Sequence, residues 1–164
     1  MYDIIAEAFL SAARHSFLTE DSFVLSCRDS ASGEISIYRS SSGDVCEISN
    51  SDSNISVLIQ KLYSLSEGVE SIALLFDGYA RSLSSVRESV EIKNGFARDY
   101  FGETIEIVNE DFDKIIVADK LPKALIISGI CASVMTTSPL KSVEAAYVLE
   151  AYAKREFILK SPSQ

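Results

Sequence analysis

Residues 71–76 read Ser-Ile-Ala-Leu-Leu-Phe, with five apolar side chains in six. A strand with one wet face alternates polar and apolar residues, because successive side chains point to opposite faces. This run has nothing to turn toward water, so it must lie inside a sheet covered on both faces. The chain around it has to supply further strands and covering helices. Upstream, three short segments have strand character: SFVLSCRD (22–29), EISIYRS (34–40) and DVCEISN (44–50). Their links, SASG and SSSG, are rich in Gly and Ser, which predicts an antiparallel three-strand meander.

Helical spacing brackets these strands. Ile5, Phe9, Ala12, Ala13 and Phe17 share one stripe over residues 3–17. Ile55, Leu58, Ile59, Leu62 and Leu65 predict a helix over 54–67, with Ser53 as N-cap and Gly68 as stop. A third helix is expected over 84–100, facing inward through Val86, Val90, Phe96 or Ala97, and Tyr100, with Arg87 and Glu91 paired outside. ETIEIVN (103–109) alternates and predicts a strand. DKIIVAD and KALIISGI are two more apolar runs, split by Leu121-Pro122, and Ser138-Pro139 is a helix start for residues 139–157. The tail KSPSQ is expected to be disordered.

The strand, strand, strand, helix, strand, helix, strand order is that of the ribonuclease-H-like folds, including each lobe of the actin-like ATPases (the ASKHA group). The fold expectation is therefore α/β: a mixed sheet with a β-meander, flanking helices and a reduced second lobe. The matching division is an N-terminal helix (1–20), a ribonuclease-H-like N-lobe (21–115), a reduced C-terminal lobe (116–159) and a tail (160–164).

Bulk properties exclude several classes. At 164 residues the chain is one domain's worth, and 47% apolar with 24% charged residues is an ordinary globular composition. A net charge of -9 argues against autonomous binding to a nucleic-acid backbone, which needs clustered Lys and Arg. No apolar run reaches the roughly 20 residues that span a membrane. The N-terminus lacks a basic region and carries Asp3 and Glu7, unlike a secretory signal. Cys27, Cys46 and Cys131 are odd in number and widely spaced, which reads as reduced thiols in a cytoplasmic protein.

Sites of known chemistry are hard to assemble. A ribonuclease-H-like nuclease needs converging carboxylates for a divalent metal. Asp29, at the end of the first strand, and Asp77, at the end of the fourth, are candidates to face each other across the sheet end, but a third ligand has no candidate. An ATPase needs a Gly-rich turn, and RDSASGE offers only Gly33. GxGxxG and Walker patterns are absent. His15 is the single histidine and lies far from any sequence-adjacent acid or nucleophile. There is no Cys/His cluster for zinc.

The stretch Asp77–Ala97 resembles the signature segment of the TsaB (YeaZ) family. Members read as an apolar strand, then GPGSFTGLR, then a helix ending in AKGLA. Here the strand is SIALLF and the loop DGYARSLSSVR, and Lys93, Gly95, Phe96 and Ala97 stand at the K, G, L and A. FVLSCRDSASGEISIY resembles the family's ILAIDTS…SVAL, so the likeness covers roughly residues 22–115. Gly78-Tyr79-Ala80 departs from Gly-Pro-Gly, and the remainder is too short for the usual second lobe.

The resemblance implies a non-catalytic scaffold, binding no cofactor itself, that supports threonylcarbamoyl transfer to adenosine 37 of tRNA. It implies a homodimer or heterodimer with a TsaD-like catalytic subunit, joined by a TsaE-like ATPase, with ATP and metal on those partners and tRNA met only through the complex. The partner interface would be a two-helix face carrying Ile55, Leu58, Ile59, Leu62, Val86, Arg87, Val90, Lys93, Asn94 and Gly95. A glycine inside a helix costs about 0.5–1 kcal/mol relative to alanine. Gly95 therefore marks either close helix packing, packing on its own sheet, or an early helix end. Two other readings stand beside the scaffold: a small acidic chaperone or adaptor for a protein client, and a divergent ribonuclease-H-like metal enzyme.

Overall fold

The computed structural model describes residues 2–14, 22–41, 44–48, 53–65, 67–85, 89–93, 95–109, 112 and 121–160. Helix α1 (Tyr2–Arg14) comes first. Strands β1 (Phe23–Arg28), β2 (Ile35–Ser41) and β3 (Asp44–Glu47) follow as the expected antiparallel meander. Helix α2 (Ser53–Ser64) leads into β4 (Ser71–Leu75), whose five residues are all buried. Next come a single-turn helix α3 (Tyr79–Ser82), a 3-10 turn at Leu83–Ser85, strand β5 (Ser89–Glu91), helix α4 (Gly95–Phe101) and strand β6 (Thr104–Val108). Strands β7 (Lys123–Ile127) and β8 (Cys131–Thr136) and the long helix α5 (Pro139–Lys160) complete the chain.

All eight strands form one sheet in the order β3-β2-β1-β4-β8-β7-β6-β5. Every neighbouring pair is antiparallel except β6 and β7. The two-residue period sorts its side chains between two cores. Ala73, Ala124, Ile126, Ala132 and Val134 face α1, α3, α4 and α5, whose Ala8, Ala145, Ala146 and Ala153 pack against them. Small residues on both surfaces let the long helix lie close to the sheet. Ile72, Leu74, Leu125, Ile127 and Met135 face the other way, toward Ile59, Leu62 and Tyr63 of α2. The α5 start is as its sequence predicts, since Ser142 donates its backbone N–H to Ser138 at 3.0 Å.

Three expectations are corrected here. The reduced second lobe of a ribonuclease-H-like fold is not a separate layer, because β7 and β8 sit inside the sheet beside β4. The strand at 131–136, which apolar-run reading passed over, is buried throughout and is the link that joins them. The helix expected over 84–100 forms only in its last part, as α4 (Gly95–Phe101). Residues 89–93 alternate Ser-Val-Glu-Ile-Lys with Val90 and Ile92 buried and the others exposed, and β5 pairs with β6 instead. A two-residue period outweighed the helical spacing of Val86, Val90 and Ala97. The apolar run at 113–119 lies outside the described residues.

Candidate functional site

Several strand ends and loops meet at one end of the sheet. Strand β4 finishes at Leu75, and Phe76 donates its N–H to the carbonyl of Ser22 at 2.8 Å. The β7–β8 turn, 128–130, lies at the same end, since Leu75 pairs with Ala132 and Ser128 donates its N–H to the Val108 carbonyl at 2.8 Å. Arg81 staples the two loops. Its Nη1 donates to the Phe76 carbonyl at 2.9 Å and its Nη2 to the Gly129 carbonyl at 2.8 Å. The guanidinium is therefore a half-buried, fixed cation at the carboxyl ends of β4, β6 and β7. Beneath it, burial pushes the Cys131 thiol up to about 12, an effect the Arg81 charge partly offsets. Asp77 projects into solvent from the same loop.

A loop between a strand and a helix is a common phosphate cradle, but here the chain fills the position itself. The Glu150 carboxylate accepts the backbone N–H of Tyr79 at 2.6 Å and of Ala80 at 2.9 Å. Gly78 makes room for it. Its φ is +102°, and a Cβ there would stand 2.6 Å from a Glu150 oxygen. The following serines are equally self-contained: Ser82, Ser84 and Ser85 donate their hydroxyls back to the carbonyls of Gly78, Arg81 and Ser82.

The two carboxylates considered as metal ligands do not converge. Strand β1 runs antiparallel to β4, with Phe23 opposite Leu75 and Cys27 opposite Ser71. Asp29 and Asp77 thus lie beyond opposite ends of the β1–β4 pair, with Asp29 already six strand positions, roughly 20 Å at about 3.3 Å per residue, from the level of Leu75. Asp29 instead closes its own turn. It accepts the N–H groups of Ala31 and Ser32 and the Ser32 hydroxyl, and these bonds hold its carboxyl below the usual range. Among the described residues no group of three or more His, Cys, Asp or Glu side chains could hold a metal ion, and His15 lies outside them.

The residues expected to form a partner-binding face fall into different settings. Ile59 and Leu62 are fully buried against the sheet, and Ile55 and Leu58 are half-buried beside them. Val90 is fully buried in β5, while Lys93 is exposed and ion-paired with Glu91 at 3.8 Å. Gly95 opens α4, and a Cβ there would meet nothing within 4 Å, so no close helix packing requires it. Val86, Arg87 and Asn94 lie outside the described residues. Sequence reading passed over Arg81 and Glu150, whose partners are 48 and 70 or 71 residues away.

Two clefts lie elsewhere. One, of about 260 Å³, is lined by Tyr100, Leu121, Pro122, Thr136, Thr137, Lys141 and Glu144. In it the Tyr100 hydroxyl is pushed up to about 12, first by desolvation and then by its bond to, and the charge of, Glu144. The other, of about 230 Å³, lies between β2 and α2 and includes Ser56, whose buried hydroxyl has no partner. No described helix is long and apolar enough to cross a membrane.

No family model and no curated protein sequence matches this chain. Its fold, however, is that of solved class II aldolase structures. L-fuculose-1-phosphate aldolase from Thermus thermophilus superposes with a TM-score of 0.72 at 14% identity, over 97% of this chain and 94% of that one. YgbL from Escherichia coli, a protein of proposed aldolase, epimerase or decarboxylase activity, gives 0.72 at 16% identity over 98% and 91%. An aldolase II superfamily protein from Pseudomonas syringae gives 0.66 at 10% identity over 99% and 78%. These likenesses overturn the ribonuclease-H-like and actin-like assignment and, with it, the TsaB resemblance. The expected tRNA-modification scaffold, its TsaD-like and TsaE-like partners and the ribonuclease-H-like enzyme fall on the same ground. The expectation of a non-catalytic chain rested on that resemblance and falls with it; the fold is one that solved aldolases share.

Proposed function

We propose that this chain is an enzyme that binds a small phosphorylated or carboxylated carbonyl compound at the sheet end built by the 76–81 and 128–130 loops, and acts on a bond next to that carbonyl. The supporting observation is the whole-length likeness to L-fuculose-1-phosphate aldolase. A fold does not by itself determine a reaction, so the proposal is confined to what aldolases, epimerases and decarboxylases share. Each leaves an electron pair beside a carbonyl, held as an enolate. Such a step needs a preorganised positive group at the developing oxyanion and a base for the proton. Arg81 is held by two carbonyls and keeps further N–H donors for the oxyanion. Asp77, exposed on the same loop, is the proton acceptor in this reading.

The test is proton exchange. The protein is incubated in deuterium oxide with dihydroxyacetone phosphate, the ketose phosphate that retro-aldol cleavage of L-fuculose 1-phosphate releases. NMR then follows loss of the proton beside the carbonyl. Exchange above the buffer rate, lost in Arg81→Met and Asp77→Asn chains that still fold, is the expected result. Buffer-rate exchange with this compound and with larger sugar phosphates and sugar acids overturns the proposal.

A further inference from the structure

The 230 Å³ cleft between β2 and α2 has no part in the proposed reaction. Gly33 and Glu34 of the β1–β2 turn border it. That turn follows Arg28, and β1 runs antiparallel to β4, so the cleft lies toward the end of the sheet away from the 76–81 loop. One wall is Ile35 and Ile37, two positions apart on β2 and therefore on one face. The other is Ser56 and Gln60, four positions apart on α2 and therefore neighbours on one side of the helix.

Ser56 is only 6% exposed, and among the described residues its hydroxyl is the one buried side-chain oxygen or nitrogen without a hydrogen bond. A buried hydroxyl gives up water and normally regains a partner from the protein. The buried hydroxyls of Ser26, Ser71, Ser133 and Ser142 all do so. Beside Ser56 the chain supplies a cleft in place of a partner, with the Gln60 amide at its exposed rim. No cationic side chain lines the cleft to receive an anion. Arg28, opposite Ile35 in the sheet, is committed to the Glu67 and Val69 carbonyls. The one acid in the lining, Glu34, is exposed at the turn, so a cation placed beside Ser56 would lose its hydration with no opposite charge there. The occupant is therefore uncharged. At about 30 Å³ for each water-sized group, the cleft holds about seven or eight non-hydrogen atoms.

We propose that this cleft binds a small uncharged carboxamide through Ser56 and Gln60, with its hydrocarbon part along Ile35 and Ile37. A carboxamide brings an acceptor and two N–H donors, so it satisfies a hydroxyl and an amide at once, whereas an alcohol has a single hydrogen to donate. The test is an NMR titration of the isotope-labelled full chain with pentanamide, set against pentanoate and pentylammonium, which match its length but carry a charge. Pentanamide is expected to give saturable shifts confined to residues 33–37 and 56–60, and the two ions to bind at least about tenfold more weakly. Ser56→Ala and Gln60→Leu each weaken pentanamide by about tenfold. Ser56→Ala leaves the Tm of the unliganded chain unchanged or higher, because no bond is lost there. Absence of saturable shifts, which leaves the cleft to water, overturns the proposal. So do ions that bind as well as the amide, or variants that bind it as the native chain does. A Ser56→Ala chain that loses stability or fails to fold overturns it too, since the hydroxyl would then already serve the fold.

Discussion

Replacing Glu150 by Ala removes one carboxylate and leaves two backbone donors without their acceptor. Those donors, on Tyr79 and Ala80, open the helix that carries Arg81. A hydrogen bond to a charged group contributes about 1.5–3 kcal/mol, and loss of an N-terminal cap costs about 0.5–2 kcal/mol. Glu150 is half-buried and the Tyr79 side is exposed, so water recovers part of the loss. The expected cost is about 2 kcal/mol, or a fall of about 4–8 °C in Tm for a domain of this size. Gly78→Ala probes the same contact from the other side. It adds the strain of a non-glycine residue at a φ of +102° and a Cβ 2.6–2.9 Å from the carboxylate. In the double variant the clash disappears, so the combined cost is smaller than the sum of the two single costs, with a coupling of about 1 kcal/mol. Urea unfolding followed by circular dichroism gives all four stabilities. A Glu150→Ala chain within about 0.5 kcal/mol of native, or a strictly additive cycle, refutes the argument that this carboxylate closes the loop.

The three thiols differ in access: at mildly alkaline pH a thiol reagent is expected to label Cys46 alone in the native chain and all three in urea, since Cys27 and Cys131 are buried. Burial raises the Cys27 and Cys131 thiols from 9.0 to about 11 and about 12. The unfolded chain therefore releases these protons first, so their contribution is complete below about 9 and is lost as pH rises through 11 and 12. Urea midpoints across that range should fall, and fall less in a Cys27→Ala/Cys131→Ala chain; an unchanged slope removes the thiols as the cause. Gly95→Ala should be neutral or stabilising by up to about 1 kcal/mol, because the site is open and no left-handed backbone is required. A loss above about 1 kcal/mol in thermal unfolding would mean that Gly95 meets a neighbour after all.

Local signals carried most of the elements. The meander, the buried β4, the α2 stripe and the Ser138-Pro139 start of α5 each depend on residues within a few positions of one another. The 84–100 stretch misled because Val90 serves a helical stripe and a two-residue alternation equally well, and only pairing with β6 chooses between them. The site was less legible. In the sequence Arg81 is one charge in a polar loop, and Glu150 is one acid among several in the 139–160 stretch. What gives them meaning is the Gly129 carbonyl and the Tyr79 and Ala80 donors brought to them from far along the chain.

By itself the amino-acid sequence determined that residues 71–75 are a strand buried on both faces and that helices must cover it. Those are matters of composition and of period, and each acts locally. Tertiary structure decided the direction of β4 against β1, which separates Asp29 from Asp77, and the insertion of β7 and β8 into the sheet, which removes the second lobe. A strand's own residues have the same two-residue period whichever way its neighbour runs. Its direction is settled only when all eight strands compete for partners and both faces are covered at once.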